Sequence, residues 1–64
     1  MKSYSSREVL QKLYEDGWYE VGYTGSHMHL KHRTKKGKVT VTHPKKDIPA
    51  NTVKAIAKQS GVAF

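Results

Sequence analysis

Cysteine is absent from this 64-residue chain, which excludes disulfides, thiolate metal sites and thiol nucleophiles together. No apolar run approaches the ~18 residues that a membrane span needs, and the N-terminus carries no apolar core of the signal-peptide kind. A cytoplasmic protein without a membrane partner is therefore expected. Repeats, linkers and low-complexity segments are missing too, so residues 1–64 read as a single domain. Nothing resembles a phosphate-cradling nucleotide loop, a dinucleotide fingerprint or a paired-carboxylate site, so no small-molecule cofactor is implied. Length sets a further limit. A domain this short buries only about 60% of the surface its unfolded chain exposes. Its core then supplies only about 3–5 kcal/mol unless a partner adds to it.

Acidic residues are scarce as well, five against twelve Lys and Arg, for a formal net charge of +7. The imbalance is segregated. Glu8, Glu15, Asp16 and Glu20 sit in the first third, whereas Lys31, Arg33, Lys35, Lys36, Lys38, Lys45 and Lys46 follow one another with no acid between them. A compact basic domain favours polyanions, because each phosphate it neutralises releases condensed counterions. On charge alone, a solvated surface or a contact for an acidic protein fits equally well.

The order of elements follows from local pattern. Ser5 and Glu8 form a capping box, Val9, Leu10, Leu13 and Tyr14 recur at helical spacing, and Gly17 suits a C-terminal cap, which predicts a helix over Ser6–Asp16. Trp18 to Tyr23 is aromatic-rich and reads as a strand, with Gly22 marking a bulge or a close backbone approach. Thr24-Gly25-Ser26 is a turn, His27 to His32 a second strand, and Arg33 to Gly37 a polar hairpin loop. Lys38 to Thr42 alternates Val39 and Val41 with polar neighbours, the period of a half-buried strand. His43-Pro44 ends it, and a basic, polar loop leads to Ile48. Pro49 suits the first turn of a second helix, with Asn51 the alternative cap; Val53, Ile56 and Ala57 form its apolar stripe, and Gly61 stops it. The expected class is α+β, in the order α-β-β-β-α. Two helices would cover one face of a three-stranded antiparallel sheet and leave the other wet.

The titratable groups suited to chemistry near neutral pH are His27, His29, His32 and His43. Alternation along the second strand puts His27 and His29 on one face with Lys31, and Met28, Leu30 and His32 on the core side. His27 and His29 should then project from the wet face beside the basic hairpin. Three readings compete for them. They are surface residues without a role, or two ligands of a metal site, or acid–base groups acting on RNA. A metal site is disfavoured, because no acid lies nearby in sequence and the surrounding lysines repel a cation. RNA needs no metal: a base takes the ribose 2′-OH proton and the oxygen attacks the adjacent phosphorus. Lysines and turn amides at Gly25-Ser26 would stabilise the charge that develops. Trp18, Tyr19 and Tyr23 are candidates for base stacking, although Trp18 and at least one tyrosine are expected in the core.

These residues also carry a resemblance. Leu13-Tyr14-Glu15-Asp16-Gly17-Trp18, then Thr24 to His32 with its G-S-H, then Val39 to Pro44 with its H-P, then Ile48-Pro49 and Thr52 to Val62 match one pattern in register. Over nearly its full length the chain resembles the HicA toxins of bacterial toxin–antitoxin pairs. The resemblance implies a double-stranded-RNA-binding-like fold and the toxin role in a type II toxin–antitoxin system. It implies endoribonuclease cleavage of mRNA, with the histidine of G-S-H, here His27, as catalytic residue. A HicB-type antitoxin is implied as partner, expected to cover His27 and to meet the basic patch with acidic groups. Family members often carry a second histidine where this chain has Met28, and the family pattern assigns His29 no role. The expected RNA-binding set is Gly25, Ser26, Lys31, Lys35, Lys36, Lys38, Lys45 and Lys46, with no metal ligand. A non-catalytic RNA-binding module of the same fold is the alternative.

Overall fold

Ser5 starts the first helix as its sequence predicts. Its side chain accepts from the Glu8 backbone N–H, and the Glu8 carboxylate accepts from the Ser5 N–H at 3.0 Å. In the computed structural model, which describes residues 3–64, this helix (α1) spans Ser6–Asp16. It ends at Gly17, whose φ of 104° is left-handed and whose N–H closes on the last turn. A Cβ added there would meet the His32 Nε2 at 3.0 Å, so both backbone and space require glycine.

Three strands follow: β1 over Tyr19–Thr24, β2 over His27–Lys31 and β3 over Val39–Thr42. They form one antiparallel sheet in the order β1-β2-β3. The β1–β2 register shifts between Glu20 and Gly22, where a bulge was expected. The second helix (α2) spans Ala50–Ser60 and stops at Gly61. Pro49 is its N-cap residue and contributes only its carbonyl, which accepts from Thr52 and Val53, both at 3.0 Å. Asn51 lies inside the helix rather than at its cap.

Alternation decides the layers. Met28, Leu30, Val39 and Val41 are buried and join Val9, Leu10 and Leu13 of α1 with Val53 and Ile56 of α2 in one cluster. Both helices therefore cover the same face, giving the expected α+β order and layering. Trp18, 2% exposed, belongs to this core and is unavailable for stacking. Ile48 also belongs to it, although it sits in a polar loop. An isolated bridge to Tyr4 holds it, with the Ile48 N–H donating to the Tyr4 carbonyl at 2.7 Å. Among the described residues no helix is long and apolar enough to cross a membrane.

Candidate functional site

The helix-free face of the sheet is built from cross-strand pairs, since directly opposed residues share a face. At one end Thr24, His27 and Thr42 lie side by side; next come Gly22, His29 and Thr40; beyond the bulge, Tyr19 pairs with Lys31. His27 and Lys31 are exposed, and His29 is half-buried. The turn before His27 passes through Gly25 at φ 59°, a conformation that suits glycine.

The four histidines are held very differently. His29 is fixed across the sheet, with Nε2 at 3.0 Å from the Thr24 hydroxyl and Nδ1 at 3.2 Å from that of Thr40. His32 lies one residue past the end of β2, yet its side chain, 11% exposed, still turns to the core side as strand alternation suggested. The strand ends at Lys31, and the imidazole folds back against Trp18, edge to face at 5.2 Å between ring centroids. Its Nδ1 accepts from the backbone N–H groups of Thr34 and Lys35, so Nε2 carries the proton and donates to the Asp16 carbonyl at 2.8 Å. His43 bonds through Nδ1 to the Ser6 hydroxyl at 2.7 Å. Among the described residues, only the His27 imidazole has no hydrogen-bond or ion-pair partner.

The basic residues do not form one patch. Gly25, Ser26 and the segment from Thr42 to Lys46 cluster at the His27 end, where the His43 N–H donates to the Ser26 carbonyl at 2.7 Å. Lys31, Lys35, Lys36 and Lys38 lie at the other end of β2, roughly 13 Å away along the strand. The expectation that His27 lies beside the basic hairpin is thereby corrected: antiparallel pairing puts the hairpin at the far end. Lys35 is committed internally. Its ammonium donates to the Asp16 carboxylate at 2.6 Å and to the Ser60 carbonyl at 3.0 Å, tying together the C-terminal ends of both helices. That bond, with the nearby Lys35 charge, holds the Asp16 carboxyl below its ordinary pKa. On the helix side, beside β1, burial and a hydrogen bond to Glu20 push the Tyr14 phenol upward.

Sequence reasoning left out Arg7 and Ser6. With Lys45 and Lys46 they line a shallow concavity around His43 at the start of α1. Only the topology brings them there, because the Ser6 and Lys45 backbones pair across the intervening chain, N–H to carbonyl, at 2.8 Å. Tyr19 and Tyr23 are about half exposed, and Tyr19 shares the open face with His29 and Lys31. No three His, Asp or Glu side chains converge as a metal-binding group among the described residues.

Comparison with known proteins adds one finding. A family model described as the HicA toxin of bacterial toxin–antitoxin systems matches residues 6–62, nearly the whole chain. A search of curated proteins returns no match.

Proposed function

The chain belongs to the HicA toxin family, the toxin side of a bacterial toxin–antitoxin pair, and from that premise we propose that it is an endoribonuclease acting on mRNA, with His27 as its catalytic acid or base. The observation that carries this reading is the state of His27. It is exposed, it follows directly on the Gly25-Ser26 turn, and it alone of the four imidazoles is left unbonded by described residues. An imidazole already committed to the fold, as in His32, has no free nitrogen with which to move a substrate proton.

The chemistry asks little of so small a domain. One group takes the 2′-OH proton, the O2′–P bond forms, and the P–O5′ bond breaks. The leaving 5′ oxygen then takes up a proton, leaving a 2′,3′-cyclic phosphate and a 5′-hydroxyl. Backbone N–H groups at Gly25-Ser26 lie beside His27 and would meet the charge on the attacked phosphate, while the ammonium groups of Lys45 and Lys46, at the same end of the sheet, would hold the adjoining RNA backbone. Lys31, Lys36 and Lys38 lie at the far end and would hold more distant phosphates of the same strand. Lys35 contributes to the field there while its ammonium stays on Asp16 and Ser60. A cognate antitoxin of the HicB type would inhibit by covering His27 and masking these cations, and a cytoplasmic setting follows from an mRNA substrate.

The test is incubation of the purified chain with a long labelled single-stranded RNA in EDTA, beside His27→Ala. Cleavage by the wild type alone, with cyclic phosphate ends, and RNA affinity retained in the variant, is the expected result. Equal cleavage by both proteins would remove His27 from the chemistry. No cleavage by either, with salt-sensitive binding intact, would leave a non-catalytic RNA-binding module.

A further inference from the structure

The concavity around His43 has a built interior rather than a chance grouping of cations. Ser6 is 2% exposed, and its hydroxyl oxygen accepts from the Lys45 N–H at 2.9 Å while lying 2.7 Å from the His43 Nδ1. A buried hydroxyl hydrogen needs an acceptor, and the ring nitrogen is the acceptor within reach. The Ser6 O–H therefore donates to Nδ1, which leaves the proton of the neutral ring on Nε2. That nitrogen has no partner among the described residues. The neutral His43 ring thus offers its Nε2–H as a hydrogen-bond donor, and its orientation is set by Ser6.

Around that donor stand the side chains of Arg7, Lys45 and Lys46, with no carboxylate in the lining. The helix start does not supply the attraction, since Ser5 and Glu8 already satisfy each other's backbone N–H groups. The side chains do. Arg7 brings a planar fork matched to two oxygens of one phosphate, and the two lysines bring point charges. The concavity lies on the helix side of the sheet's end and His27 on the open side, joined by the bond between the His43 N–H and the Ser26 carbonyl.

We propose that His43, Arg7, Lys45 and Lys46 form a phosphodiester subsite that holds an RNA backbone phosphate neighbouring the one at His27. A strand so held bends over the end of the sheet. This rests on RNA being the substrate, and it assigns binding roles to His43 and Arg7, neither of them a group that reacts.

The probe is a 2′-O-methyl RNA oligonucleotide, which binds like RNA yet has no free 2′-OH to attack, so affinity is read independently of cleavage. Anisotropy titrations over a range of salt would compare wild type with Arg7→Gln, Lys45→Gln, Lys46→Gln and His43→Asn. Lys58→Gln, in the last turn of α2, is the control that makes the same change in net charge. Each of the three cation variants should lose several-fold in affinity and lower the salt slope by part of the roughly 0.7 that one phosphate contact on a single strand carries. His43→Asn should lose affinity with the slope less changed. If that variant unfolds through loss of the Ser6 bond, the three cation variants still decide. Affinities and slopes matching Lys58→Gln would overturn the proposal. So would loss of antitoxin binding alone, which would make this a protein contact. Loss of oligonucleotide binding with no cleavage of ordinary RNA by the wild type would retain the subsite and remove the nuclease.

Discussion

His27 and His32 place the same side chain in opposite circumstances. One ends a glycine turn in solvent; the other is packed on Trp18 and bonded at both nitrogens. The exposure of His27 is legible in the sequence, because a two-residue period assigns faces from local pattern alone. The role of His32 is not, since its partner is the Asp16 carbonyl on another element and the strand ends one residue earlier than expected. The same corner holds the residue-scale prediction. Asp16 is depressed below its ordinary pKa, chiefly by its hydrogen bond from Lys35. A carboxylate whose folded pKa is lowered contributes stability that is present above its unfolded pKa of about 3.9 and is lost as pH falls through the lower folded value. Thermal melts from pH 6 down to about 2 should therefore show an acid limb. Asp16→Asn should flatten that limb and lower the stability near neutrality by the same amount, which is small because the pair is exposed and screened. An acid limb identical in the variant would show that Lys35 does not stabilise the fold through Asp16.

Among the elements, α1 is readable at both ends, since its cap residues act within a few positions of one another. Ser5→Ala removes the side-chain acceptor for the Glu8 N–H and half of the reciprocal pair. The expected loss is about 1 kcal/mol in urea unfolding, with faster amide exchange confined to the first turn. Unchanged exchange at Glu8 would show that water serves as well as the serine. The second helix was less legible, because the Pro49 carbonyl serves as its cap without a side-chain signal. Least legible was the route from His43 to Ile48. Its basic composition reads as loop, yet the segment pairs with Tyr4 and Ser6, puts Ile48 into the core and sets His43 on the Ser6 hydroxyl. The pairing joins distant segments that no local window contains, so half of the candidate site waited for the topology. The two ends of β2 differ for the same reason: seven basic residues adjacent in sequence are separated by a hairpin into groups at opposite ends of a sheet.

At the scale of the molecule, a thin core and a charge of +7 are opposed. Among the described residues, eleven buried apolar side chains hold two helices on three strands, and self-repulsion among the cations works against them. A domain of this size has about 3–5 kcal/mol of core stability in total. Leu30 is fully buried in the central strand, and replacing such a leucine with alanine costs about 2–5 kcal/mol. Leu30→Ala should therefore leave the free chain largely unfolded at 25 °C, seen as lost helical circular dichroism, and should abolish toxicity without touching His27. A partner that binds only the folded form adds about 4 kcal/mol when present at a thousandfold above its Kd. The same variant should thus regain structure, and a urea transition, when mixed with its antitoxin in excess. Structure regained only with antitoxin would mean that the free toxin is held folded by a margin one core side chain can remove, and that the complex is its stable form. A free Leu30→Ala chain with a wild-type urea midpoint would place the stability in the sheet pairing and the Lys35 and His32 ties instead.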